Sequence, residues 1–348
     1  MTREGRGNRN YKRVVQLAIG CLISGVMLYL VFKDLDTETL KRNLSVMRWW
    51  PLVPFVALFM LHYVLRSWRW RFLLPTPLGE RPSLRKLFDA LIIGNVASFV
   101  LPFRLGEFVR PFVLSRWTDY RFASSFVSVV IERFFDLSAV LISFAVIAPR
   151  LPDFPGWAIA GVYSLGGIAA CLLLFLICGA LLPSLLREVI SFCVRPLPAS
   201  IGAPLESFLF DLLDGAAVIR TPRRVASILG LTGAVWLSTF LQFHVMLYLF
   251  PYHQSMLFSV TLAVFVSLAV AIPSAPGFIG VFQAGCVAAG ALFSYPQEAI
   301  VVYSLAIHVV SYLLFIVLGF WLLTVHDLSL FELKRAVEGD GDTTGKTS

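Results

Sequence analysis

Apolar runs close to the roughly 20 residues a helix needs to cross a bilayer recur along this chain. They lie near Val14–Phe32, Pro51–Leu65, Leu87–Ser115, Phe122–Ala148, Trp157–Leu182, Val225–Phe250, Met256–Phe293 and Glu298–Val325. Charged residues make up only 14% of the 348, against about 25% in an average soluble domain. That shortfall, with 58% hydrophobic residues and a mean hydropathy of +0.80, excludes a disordered chain, a nucleic-acid binder built on basic patches and most soluble enzymes. The expected fold is all-α, a polytopic membrane helix bundle, and the net charge of +8 is first a matter of topology.

The N-terminal arm, residues 1–13, carries Arg3, Arg6, Arg9, Lys12 and Arg13. The run behind it is longer than the apolar region of a signal peptide and lacks a clear small-residue cleavage site, so it reads as a first transmembrane helix. Cys21, Cys171, Cys178 and Cys286 sit inside apolar runs, and Cys193 sits alone in a polar segment. None has metal-ligand spacing, and they read as small buried hydrophobes. No cofactor is expected. No Gly-x-x-x-x-Gly-Lys phosphate loop is present, which argues against ATP as a direct drive.

Two of the runs are interrupted, one by Leu101-Pro102-Phe103-Arg104-Leu105-Gly106-Glu107 and the other by Pro273-Ser274-Ala275-Pro276-Gly277-Phe278-Ile279-Gly280. Proline removes a backbone donor and glycine relaxes the helix, so each run breaks near its middle. Each is either a kinked crossing or a re-entrant hairpin. The distribution of Lys and Arg favours hairpins. With both as hairpins and a cytoplasmic N-terminus, 21 of the 29 Lys and Arg fall inside and five outside, with Arg104, Arg110 and Arg133 in the membrane. The inside set includes Arg66, Arg69 and Arg71 at the end of the second run, and the Arg187–Arg224 segment. Two halves then emerge, about 51–148 and 225–325, each reading helix, broken hairpin, helix, and inverted relative to each other. Paired Gly/Pro-interrupted segments point to a transporter's binding site, here with the two tips meeting near the midplane.

Between the halves, residues 183–224 are more polar and carry Pro196, Pro198 and Pro204. Leu205, Phe208, Leu209, Leu212 and Ala216 share one face against Glu206, Asp211 and Asp214, which suits either a helix in the cytoplasmic interface or a linker packed on the bundle. The tail, 326–348, turns polar and reads as cytoplasmic and disordered. His62, His244 and His308 fall in apolar helices and read as hydrogen-bonded core groups rather than proton relays. The alternating Arg66-Ser67-Trp68-Arg69-Trp70-Arg71 reads mainly as an interfacial anchor at a helix end.

Six ionisable residues fall at membrane depth: Arg104, Glu107 and Arg110 in the first hairpin, and Glu132, Arg133 and Asp136 in the next helix. One charge at a helix centre costs about 2.5–3.5 kcal/mol on insertion scales, so they pair, face a wet cavity or hold an ionic ligand. Glu132 and Asp136 share a helix face and Arg133 points to an adjacent one. Two readings stand: an internal network of three arginines and three carboxylates, or arginines meeting an anionic head group while the carboxylates orient them. Arginine suits phosphate because its planar fork donates two parallel hydrogen bonds.

Asn95…Leu101-Pro102-x-Arg104-x-Gly106-Glu107-x-x-Arg110, then Glu132-Arg133-x-x-Asp136, then Pro273-x-x-Pro276-Gly277-x-x-Gly280 resemble, in order, the signatures of the lysylphosphatidylglycerol synthase transmembrane-region family. The resemblance spans roughly Val14 to Val325. It implies a flippase-like protein that moves a lipid, often anionic, aminoacylated or polyprenyl-linked, between leaflets of a prokaryotic plasma membrane. Phe278 and Gln283 stand where family members often have glycine and glutamate. The chain ends shortly after Val325, so the aminoacyl-transferring domain of bifunctional members is not expected, nor is the synthase reaction. On this reading Arg104, Glu107, Arg110, Glu132, Arg133 and Asp136 meet the head group, and Asn95, Pro276, Gly277 and Gln283 shape the opposing wall. Two rival classes remain, a membrane-embedded lipid-modifying enzyme and a non-transporting partner of a cell-envelope synthase.

Overall fold

The computed structural model describes residues 22–33, 36–75, 81–100, 106–151, 156–216, 221–251, 255–272, 274–330 and 332–333. The basic arm 1–13, Arg104, Pro273 and the tail beyond Leu333 lie outside these residues. Among those described, the regular structure is helical with no strand, as the hydropathy pattern implies.

The first apolar run continues as α1, Leu22–Phe32. A short polar helix, α2 (Thr37–Ser45), follows; Asp36 caps it by accepting from the backbone N–H groups of Glu38 and Thr39 at 3.3 and 3.0 Å. The long helices are α3 (Leu52–Leu73), α6 (Phe122–Ile147), α7 (Gly156–Leu181), α10 (Pro222–Leu247) and α13 (Gln297–Val325). At about 1.5 Å per residue each is long enough for a hydrocarbon core of about 30 Å. By composition α10 and α13 are free enough of charge to pass as simple spans. By contrast, α3 carries Arg66, Arg69 and Arg71, and α6 carries Glu132, Arg133 and Asp136.

Each interrupted run folds as two antiparallel helices. The first pair is α4 (Leu84–Val100) and α5 (Gly106–Trp117). Lys86 Nζ donates to the Trp117 carbonyl at 3.2 Å at the open end, while Gly106 lies against Ser98 at the tip. The second is α11 (Met256–Ala271) and α12 (Val281–Leu292), joined at the base by Phe258 on Phe293 with ring centres 4.9 Å apart. The return arms α5 and α12 have 12 residues each, so they rise only about 18 Å, well short of a bilayer core. The tips meet: Phe99 packs edge-to-face on Phe278, centres 6.0 Å apart.

The two halves touch in an exchange pattern. α3 lies antiparallel on α10, with His62 opposite Ser238 and Arg69 opposite Thr232. α4 packs on α13 as α11 packs on α6, and α5 meets α6 as α12 meets α13. The core between them holds Phe55, Phe59, Trp70, Leu91, Ile92, Phe258, Leu262 and Tyr303, all nearly fully buried. Outward faces are also apolar. Ile142 and Val146 on α6, and Val309, Leu313, Val317, Phe320 and Trp321 on α13, are about half exposed. Aqueous surfaces do not sustain such continuous stripes; lipid chains cover them.

Three sequence expectations change. The helix expected to end near Leu65 runs on to Leu73, which places Arg66, Arg69 and Trp70 inside the bundle rather than at an interface. Only Trp68 on that stretch remains strongly exposed, at 46%. Between the halves lie two helices rather than one, α8 (Pro183–Val194) and α9 (Ala199–Ala216). They pack on each other through Ile190, Val194 and Leu213, and α9 also contacts α6 and α7, so this segment joins the bundle. The side chains of Phe208, Asp211, Leu212, Asp214 and Ala216 lie outside the described residues. Cys286 is buried as expected, but Cys171 and Cys193 are exposed.

Candidate functional site

Two long helices, α3 and α6, and the short arm α5 bring the charges together. Gly106 begins α5, and a Cβ there would sit 1.9 Å from the Gly94 carbonyl oxygen and 2.2 Å from Ser98 Oγ. Only glycine lets the arms close this tightly. The closure sets Glu107 and Arg110 against α6, where Glu132 and Asp136 face inward and Arg133 faces the gap.

Glu132 is the hub and is fully buried. Its carboxylate accepts from Arg66 at 3.0 Å, Arg69 at 2.9 Å and Arg110 at 2.5 Å. Arg69 also donates to Asp136 at 2.7 Å and to Thr232 Oγ1 at 3.3 Å. The Arg110 guanidinium lies 3.8 Å from the centre of the Trp70 ring, a cation–π contact that holds its plane, and the indole N–H donates to Ser128 Oγ at 2.8 Å. Nε of Arg69 and of Arg110 has no hydrogen-bond partner among the described residues. Such concentrated burial of charge holds only because every carboxylate is met by guanidinium.

The outer pair differs. Arg133 bonds Glu107, and its other nitrogen stands 3.8 Å from Asp136. The Arg133 and Glu107 side chains are 49% and 28% exposed, whereas those of Arg66, Arg69 and Arg110 are 9% or less. Arg133 and Glu107 line a narrow cleft of about 10 Å³ with Arg66, Gly94, Asn95, Ser98, Gly106 and Arg110. Among the described residues the cluster holds four arginines (66, 69, 110 and 133) against three carboxylates (107, 132 and 136), a surplus of one positive charge.

The placement corrects the sequence reading at one point. The sequence counts Arg66 and Arg69 with the cytoplasmic charges; in the structure they are central partners of Glu132 and Asp136. A signal existed: two arginines one helical turn apart, beside a tryptophan, on a helix that balances the carboxylates of another. Asn95 lines the cleft while its amide donates to the Leu91 carbonyl at 2.7 Å. Arg104 lies outside the described residues. Pro276, Gly277 and Gln283 do not line the cleft.

Those three build the second tip. Gly277 and Gly280 have φ of 77° and 90°, and between them Phe278 holds φ of 60°, a conformation that bulky residues avoid. A Cβ on Gly277 would overlap the Tyr312 hydroxyl. The Gly280 N–H donates to Gln283 Oε1 at 2.8 Å, so the Gln283 amide nitrogen donates to His308 Nδ1 at 3.0 Å. His308 then carries its proton on Nε2 and donates to the Gly277 carbonyl at 3.0 Å. Glutamine thus closes the network without charge. Phe99, Phe278, Tyr312 and Phe315 form an aromatic wall at the contact between the tips. His62 and His244 are also hydrogen-bonded, to Ser238 and Ser259. No group of three or more His, Cys, Asp or Glu among the described residues suits a metal.

Comparison with known proteins agrees with the motifs. No functionally curated protein and no solved structure matches the chain. The sequence profile described as the lysylphosphatidylglycerol synthase TM region matches residues 17–319, most of the chain. The chain belongs to that family and is a membrane protein of lipid metabolism or transport.

Proposed function

We propose that this protein moves a lipid with an anionic head group between the leaflets of a prokaryotic plasma membrane, with both termini in the cytoplasm. The lipid is anionic, aminoacylated or polyprenyl-linked. The α4–α5 and α11–α12 pairs act as re-entrant hairpins, and the halves containing them form an inverted repeat. The short return arms, the meeting tips and the exchange pattern of contacts support this arrangement.

One observation carries the reading. A sealed network of balanced charge needs no ligand, yet this cluster has one more arginine than carboxylates, and Arg133 stands half exposed in the cleft. A phosphate monoanion supplies the missing charge and suits the guanidinium fork. Transport rather than chemistry fits the lining of the site, three arginines, the Asn95 amide, the Ser98 hydroxyl and one carboxylate, Glu107, which is bonded to Arg133 rather than to the hydroxyl.

Native mass spectrometry with lipid analysis, on protein purified in mild detergent, tests this. Wild type retains a discrete anionic lipid, and Arg133→Gln loses it while remaining folded. Identical lipid profiles in both proteins would overturn the reading and favour an assembly partner whose buried charges are structural.

A further inference from the structure

Beside Glu107 and Arg133 of the cleft, α5 and α6 carry a row of aromatic rings. At 100° per residue Phe122, Phe126 and Arg133 fall within about 40° of one another on α6. Phe108 of α5 stacks on Phe126, with ring centres 5.0 Å apart and planes 15° apart. Phe126 in turn stacks on Phe122 at 5.9 Å and 13°. Phe108 and Phe122 are 39% and 40% exposed. Three nearly parallel rings therefore run from Phe122 at the start of α6 to Phe108, the chain neighbour of Glu107. Arg66 and Arg110 also line the cleft but are 9% and 4% exposed and bonded to Glu132, and Arg69 is fully buried.

We propose that this ladder is the track for the substrate's hydrocarbon tail, and that the lipid reaches the cleft laterally between α5 and α6. Its phosphate replaces Glu107 on Arg133, and its tail lies along Phe108, Phe126 and Phe122. The occupant is a lipid because apolar and cationic groups share one face of α6: one end takes a chain and the other a phosphate. A soluble phosphate has no use for the ladder, and a neutral lipid has none for Arg133. The inference rests on the transport reading for its purpose, but it concerns occupancy and stands or falls separately.

Photo-crosslinking tests it. The protein is placed in lipid nanodiscs doped with phosphatidylglycerol or diacylglycerol bearing the same diazirine-labelled acyl chain, and adducts are mapped by mass spectrometry. Adducts at Phe122 and Phe126 are compared with those at Ile142 and Val146, which are lipid-facing on another side of α6. Phosphatidylglycerol should enrich the ladder over the control face roughly tenfold, the factor expected of one charge-assisted hydrogen bond. Diacylglycerol, which lacks the phosphate, or the Arg133→Gln variant, should show no enrichment. Arg133→Lys should keep most of it, and Glu107→Gln should increase it by removing the competing carboxylate. Equal labelling of both faces in wild type, or unchanged enrichment in Arg133→Gln, would overturn the track. Intact enrichment without lipid movement would refute transport and leave the track standing.

Discussion

Glu132 and Arg133 are neighbours in sequence, and the structure gives them opposite roles that a stability measurement separates. Glu132 is fully buried and receives three guanidinium groups at 3.0, 2.9 and 2.5 Å. In Glu132→Gln the shape survives, but two arginines that lean on Glu132 alone lose their counter-charge and meet an amide. Breaking one side of a buried ion pair costs about 3–5 kcal/mol. Asp136 returns part of this, because a like charge nearby disappears and Arg69 keeps its 2.7 Å bond to it. The expected net loss is about 3 kcal/mol or more. Arg133→Gln removes a pair that is 49% and 28% exposed, and such pairs contribute about 1 kcal/mol or less. Equilibrium unfolding by SDS in mixed micelles measures both on the same scale. A loss below about 1 kcal/mol for Glu132→Gln, or equal losses for the two variants, would refute the division into a structural hub and an exchangeable outer pair.

Gly106→Ala places a Cβ 1.9 Å from the Gly94 carbonyl oxygen, so the first hairpin must open; a loss of about 1–3 kcal/mol on the same SDS scale is expected, and an unchanged midpoint would mean the arms are not this close. Gln283→Leu leaves the Gly280 N–H and His308 Nδ1 without partners, each worth about 1–3 kcal/mol when buried; retention of wild-type stability would show that the second tip is wet. Asp36 at the start of α2 is held below the ordinary aspartate value of 3.8, first by the Thr39 hydroxyl and then by the backbone N–H groups of Thr39 and Glu38. Its capping is therefore complete above that value and is lost as pH falls through the depressed one. Amide protection at Glu38 and Thr39 should drop at acid pH in wild type and be low at every pH in Asp36→Ala; protection independent of both would contradict the cap.

Much of this was legible in sequence because membrane burial makes charge and proline conspicuous. The breaks near Gly106 and Pro276, the shared face of Glu132 and Asp136 and the placing of Arg133 on an adjacent face follow from helical period and from the rarity of such residues in apolar runs. The roles of Arg66 and Arg69 were hidden because arginines beside tryptophans at the end of an apolar run also serve as interfacial anchors. What decides between the two is α3 running on to Leu73, and with it the packing of Trp70 against Arg110. The network through Gln283, His308 and Gly277 joins residues 25 and 31 positions apart. No local pattern encodes that contact. Phe278 stood out in sequence only as a missing glycine; its left-handed backbone and its contact with Phe99 show a residue held in strain where the two tips touch.

Lipid movement itself is the most direct test. Vesicles of phosphatidylethanolamine and phosphatidylglycerol with a trace of head-group-labelled fluorescent phosphatidylserine report translocation when dithionite quenches the outer leaflet. Wild-type protein should carry the labelled lipid across, and Arg133→Gln, folded and reconstituted at the same density, should slow it roughly tenfold or more. Equal rates in the two proteins would contradict a head-group site at Arg133 between the first hairpin and α6.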